Sequence, residues 1–165
     1  MKRIIAVGVL IASAAAYGAD VAPVKIPGVS DPNRARVNWM LKCQGCHRPD
    51  ASGSPATAPA MAAEVARFLQ VPGGREYLVR VPGVATAALA DDQLAELVNW
   101  SLWTFDPQNI PQDFVPYTAS EIGDMRRRPL RTDAGAARNA LLAALSARKE
   151  RAEGPGRTRW SKAGN

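Results

Sequence analysis

An all-α fold is what this sequence predicts, and three observations predict it. Apolar residues recur at three- and four-residue spacing in successive stretches, the signature of one buried helix face. Proline and glycine clusters cut those stretches into helix-sized pieces. No segment alternates as a half-buried strand does, and no internal repeat is visible.

The first residues read as a leader. Lys2 and Arg3 form a positive start, and Ile4 to Ala16 is a run of thirteen apolar or small residues. Ala16 and Gly18 stand where a signal peptidase reads small side chains, so cleavage is expected after Gly18, with Ala19 the near alternative. Crossing a membrane takes ~20 apolar residues, so residues 1–18 are read as a signal peptide rather than a retained anchor, and export to the periplasm is expected. Residues 19–30, with two prolines and a glycine, read as an extended arm.

The elements follow in order. Ser30, Asp31 and Pro32 carry helix-start chemistry, a capping side chain before a proline. Val37, Met40 and Leu41 continue that helix at apolar spacing towards Cys43. Residues 48–59, rich in Pro, Ser, Gly and Ala, are read as loop. A helix is expected from Ala60 to Leu69 with Val65, Phe68 and Leu69 on one face, and a short one from Arg75 to Arg80 between two glycine-proline stops. The clearest helix is Asp91 to Phe105: two aspartates favour its positive end, Leu94, Leu97, Val98 and Ser101 form a stripe, and Trp100 stands beside it. Asp106 and Pro107 close it. Thr118 and Glu121 have capping-box spacing for a short helix, and a last helix is expected from Asp133 to Glu150 with Leu141, Leu142 and Leu145 on one side.

Charge is distributed unevenly. Residues 19–124 hold 8 Lys and Arg against 12 Asp and Glu; residues 125–165 hold 11 against 3. An acidic body therefore carries a basic C-terminal segment. Such a segment suits an acidic partner, an anionic membrane surface, or plain solvation; a nucleic-acid partner is not expected.

The chemistry concentrates at Cys43, Cys46 and His47, which are all the cysteines and histidines in the chain. A thioredoxin-like pair needs a βαβ setting and an acidified thiol; here a helix precedes the motif. Zinc needs about four ligands, and only three are present. A disulfide across two intervening residues closes almost no loop. Covalent haem attachment uses two thiols for two vinyl groups and the adjacent histidine for the iron, so one haem c on Cys43, Cys46 and His47 is the expected cofactor.

From about Asp31 to Phe105 the chain resembles the class I c-type cytochromes, in its helix leading into "CQGCH", its loop bearing Pro59 and its final "LADDQLAELVNW" helix. The resemblance implies a small helical domain over residues 31–106 around one covalent haem, with residues 107–165 a basic, partly helical extension. It implies that first and last helices cross, placing Trp100 near Val37 and Met40, and that the Pro59 carbonyl holds the Nδ1 proton of His47. It also implies a methionine ligand in the loop before the last helix, yet Val81 to Asp92 contains none. Met61 is then the expected distal metal ligand, or else a residue packed against the haem on the histidine side. Met40 is expected in the core and Met125 on an exposed helix position. Arg75, Arg80 and Tyr77 come from haem-side segments and would bind a propionate or face solvent. The function expected is a carrier rather than an enzyme, shuttling electrons between a dehydrogenase-type donor and an oxidase or other carrier. The alternatives are a five-coordinate haem protein for a small ligand, and a subunit of a larger redox complex.

Overall fold

A computed structural model describes residues 25–54 and 58–154; the expected signal peptide and most of the arm lie outside them. The architecture is all-α, with no strand among the described residues. Helix α1 (Pro32–Lys42) leads into a single turn, α2 (Gln44–His47). A 3₁₀ turn (Val65–Gln70) precedes α3 (Gly74–Arg80) and α4 (Pro82–Ala85). Helix α5 (Asp91–Phe105) is followed by α6 (Ala119–Arg126) and α7 (Ala134–Glu153).

Local chemistry sets the ends. The Asp31 carboxylate accepts from the Asn33 and Arg34 amides at 3.0 Å, capping α1 with Pro32 in its first turn. The Thr118 hydroxyl accepts from the Glu121 amide and caps α6. The other half of that capping box is diverted, because the Glu121 carboxylate binds the Arg75 guanidinium through two bonds of 2.6 and 2.7 Å.

Helices α1 and α5 cross, but not through the residues the periodicity suggested. Val37, Met40 and Leu41 are 49%, 47% and 71% exposed, whereas Trp39 is 2% exposed. Trp39 meets Phe105 at a ring-centroid distance of 4.5 Å and Trp100 at 6.3 Å. Both faces of α1 carry apolar residues, and the buried one is that whose indole pairs with Trp100 and Phe105, ring contacts that add to its area burial.

The expected helix from Ala60 to Leu69 is shortened to the 3₁₀ turn at Val65. Tertiary bonds take its first amides: Met61 and Ala62 both donate to the Ala51 carbonyl, and Ala63, in left-handed backbone at φ 57°, donates to Phe105 O. Buried Asp106 then accepts from the Ala66 amide at 2.8 Å, holding the turn onto the end of α5. Met125, expected on an exposed position, is instead buried in the core beneath α6.

The C-terminal segment packs on the rest of the molecule. Asn99 of α5 donates to Tyr117 O at 3.0 Å and accepts from its amide at 2.9 Å. Arg75 stacks on the Tyr117 ring at 3.9 Å and binds Val115 O and Glu121. Helix α6 lies on α5, and α7 lies on α3 and the 3₁₀ turn.

Glu96 of α5, 3% exposed, accepts from the Ser30 hydroxyl at 2.7 Å, the Asp31 amide at 2.7 Å and Arg34 Nε at 2.8 Å. Burial alone would raise its carboxyl; the bonds from Arg34, Ser30 and Asp31 outweigh burial and hold it below the usual carboxylate range. A folded-state value below the unfolded one means this stability is present above the unfolded pKa and is lost as pH falls through the folded one. Replacing Glu96 by Gln is expected to cost about 2 kcal/mol at neutral pH and to flatten the loss of stability on acidification below about pH 4, read from urea denaturation at several pH values. An unchanged acid profile would remove Glu96 from this role.

Candidate functional site

The α2 turn projects Cys43, Cys46 and His47 from the end of α1 onto one wall of a cavity of about 560 Å³. The backbone turns sharply after them: Arg48 and Ala51 adopt φ 67° and 58°, and the Gly53 amide returns to His47 O at 2.9 Å. Paired bonds between Ser54 and Ala58 close the loop and deliver Pro59 to the histidine. His47 Nδ1 lies 3.2 Å from the Pro59 carbonyl oxygen. A carbonyl can only accept, so Nδ1 carries the proton and Nε2 keeps its lone pair. Burial lowers the His47 pKa and so favours the neutral, ligand-competent imidazole, an effect the Pro59 bond opposes without cancelling.

The lining is largely apolar. The histidine end holds Trp39, Pro59 and Met61; α5 contributes Leu94, Leu97, Val98 and Ser101; the remainder comes from Phe68, Tyr77, Leu78, Val81 and Val84. Among the described residues, Lys42 and Arg138 are its cations and no carboxylate lines it. The Cys43 thiol is pushed up to about 11, first by burial and then by the neighbouring Cys46. That is the reverse of the acidified thiol that thioredoxin-like exchange requires. Among the described residues no group of three or more His, Cys, Asp and Glu assembles as a metal-ligand cluster, so a zinc site has no built ligand set.

The chain is 30% identical over 107 aligned residues to a cytochrome c-552 of Thermus thermophilus, a match spanning 54% of this chain and 82% of that protein. The chain belongs to the c-type cytochromes. It is thus an electron-transfer haem protein. A second Thermus thermophilus cytochrome c-552 matches at the same identity, with 72% of that protein covered. No family model matches this cytochrome, and no solved structure does. The aligned 54% of its 165 residues is fewer than 107, so the relative carries residues in this stretch that have no counterpart here.

The haem that the family implies fits the residues present. The cavity lies in the size range of cofactor sites, two thiols and an imidazole with an available lone pair meet at one wall, and its two cations suit an acidic cofactor edge. Trp39, whose buried indole nitrogen has no hydrogen-bond partner, lines the same space.

Of the expected site residues, Cys43, Cys46, His47, Pro59, Met61 and Tyr77 come together on the cavity, whereas Met40 and Met125 do not line it. Arg75 and Arg80 also turn away, Arg75 to Glu121 and Val115 O, and Arg80 to Arg128 O at 2.6 Å. Arg138 was missed: it reaches the cavity from the start of α7, beside Ala134 and Gly135. The signal available in the sequence was small residues at 134 and 135 with an arginine one turn on, which lets that face approach closely.

Gly53 is needed where it stands. Its φ is 70°, and a Cβ there would lie 2.6 Å from both the Ala58 oxygen and the Pro59 carbonyl carbon. Gly53→Ala is expected to cost about 1–3 kcal/mol, seen as a lower denaturation midpoint; an unchanged midpoint would show that the Pro59 loop yields without strain.

Proposed function

We propose that this cytochrome is an exported, periplasmic class I protein with a single covalent haem, carrying one electron at a time from a dehydrogenase-type donor to an oxidase or another carrier. One observation carries the reading: Cys43, Cys46 and His47 share one turn at an apolar cavity, with His47 Nδ1 held 3.2 Å from Pro59 O. Cys43 and Cys46 would hold the haem through thioethers, and His47 Nε2 would bind its iron. The Pro59 carbonyl orients that imidazole and makes it more electron-donating.

When bound, the haem supplies the one-electron chemistry. The chain's own residues set its environment. Leu94, Leu97 and Leu102 keep water from the cavity, which disfavours the more highly charged oxidised state. Arg138, with its guanidinium 5.9 Å from the Phe68 ring centroid, is assigned to a propionate carboxylate, for which an arginine fork is suited.

Electrons would leave at the thioether edge. Cys46 and Gly45 are exposed there, and Gln44 is half-buried and uncharged, so a partner can approach closely. The basic C-terminal segment would attract an acidic partner or an anionic membrane surface, an interaction that salt weakens. Part of that charge is used internally, since Arg126 binds Asp91 and Arg127 binds Asp124. Among the described residues no helix is long and apolar enough to cross a membrane.

The test is the pyridine spectrum and intact mass of the protein purified from an exporting host. One haem per chain beginning at Ala19 is expected, and a Cys43→Ala, Cys46→Ala double variant should lose the covalent haem. Two haems, or none, would overturn the assignment. Arg138→Ala removes a positive charge beside the haem and is expected to lower the reduction potential in a redox titration; an unmoved potential would place that guanidinium elsewhere.

A further inference from the structure

Pro59 and Met61 are separated by at most ~7 Å of chain, and both line the cavity. Pro59 stands on the histidine side, because its carbonyl faces His47 Nδ1. Met61 is tied to the same side. Its amide donates to Ala51 O at 2.9 Å, the Ala62 amide shares that oxygen at 3.1 Å, and the Ala63 amide donates to Phe105 O at 2.9 Å. Ala51 belongs to the loop that follows His47 directly. A sulfur starting from this position would have to pass around the edge of a bound porphyrin to reach the face opposite the imidazole.

Among the described residues no other methionine or histidine is placed to do so. Met40 is on the exposed side of α1, Met125 is buried beneath α6, and the chain has no second histidine. The segment between α4 and α5 is held short. Arg126 donates to Ala85 O at 3.0 Å, Leu89 O at 2.9 Å and Asp91 at 3.0 Å, and also to Ala87 O. The rest of the lining, from α3, α4 and α7, is apolar apart from the buried Tyr77 and from Arg138.

We propose that none of the described residues supplies a sixth ligand to the haem iron, and that the face walled by α3, α4 and α7 binds a small neutral diatomic molecule such as carbon monoxide or nitric oxide. The proposal rests on haem attachment at Cys43, Cys46 and His47. Binding is coordination alone: the diatomic donates a lone pair to ferrous iron, no protein bond breaks, and no proton or electron moves. Leu78, Val81 and Val84 favour a neutral ligand over a hydrated ion, which would lose its water without replacement. Tyr77 stays a protonated phenol because burial raises its pKa, partly offset by Arg138, and so it remains a poor ligand and an available hydrogen-bond donor.

The experiment takes the full-length protein matured in an exporting host. The pyridine spectrum is measured first, then the ferric spin state, then titration of the ferrous protein with carbon monoxide. Expected are a high-spin ferric spectrum and complete uptake of one carbon monoxide per haem, with both properties retained in Met61→Leu and Met61→Ala. A protein without covalent haem overturns both this proposal and the function above. A haem-loaded protein that refuses carbon monoxide overturns this proposal alone. So does a low-spin ferric spectrum that turns high-spin in Met61→Leu, Lys42→Ala or Tyr77→Phe.

Discussion

Glu96 lies at the start of α1 although it belongs to α5. Its carboxylate gathers the Ser30 hydroxyl and amide, the Asp31 amide and the Arg34 guanidinium. The charge therefore sits at the positive end of the α1 dipole and is inaccessible to water. This bond set places the first helix across the last haem-side helix at one angle. Everything at the site inherits that crossing. Trp39 reaches Trp100 and Phe105 only because the helices meet there, and α1 delivers Cys43 onto the cavity wall only because its other end is fixed. A buried carboxylate with this many donors is specific in a way an apolar contact is not, since a sliding helix would strand its charge.

The arginines in and around the C-terminal segment act as ties as well as surface charge. Arg75 joins α3 to Glu121 and to the Val115 carbonyl; Arg126 gathers the carbonyls between α4 and α5; Arg80 and Leu130 exchange bonds with each other's neighbourhoods through Arg128 O and Arg80 O. Guanidinium groups suit this work because one planar fork satisfies several carbonyls at once. These ties draw α6 onto α5 and bring α7 over the cavity. The segment beyond residue 106 thus contributes walls to the site, and the short connection before α5 is stabilised without any methionine in it.

Much of the fold was legible in the residues. Asp31 and Thr118 act as caps, Asp91 to Phe105 is a helix from end to end, and Pro59 stands against His47 as the resemblance implied. What was illegible has particular causes. On α1, Val37, Met40 and Leu41 form as good an apolar stripe as Ala35 and Trp39, and only the partner helix selects between them. At residues 60–69 the composition favours helix, but Ala63 takes left-handed backbone and gives its amide to Phe105 O, so no regular helix runs through it. Met125 beside three arginines reads as surface, yet Arg127 and Arg128 stay exposed and Arg126 turns onto the connection before α5, while the methionine fills the core.

By itself, the sequence determined what is covalent and local. Cys43, Cys46 and His47 must lie on one short stretch of chain whatever the fold, so the cofactor chemistry they specify is written in their spacing. Helix starts and stops are decided by side chains within a few residues, and they too could be read directly. Only the tertiary structure decided which faces meet the cofactor. Pro59 and Met61 are near neighbours in the chain, Arg138 is far away, and all three line one cavity; their placement depends on hydrogen bonds and burial between distant segments. The physical reason is that short-range chemistry selects a turn, whereas the side of the haem on which a residue stands is chosen by the whole molecule's packing.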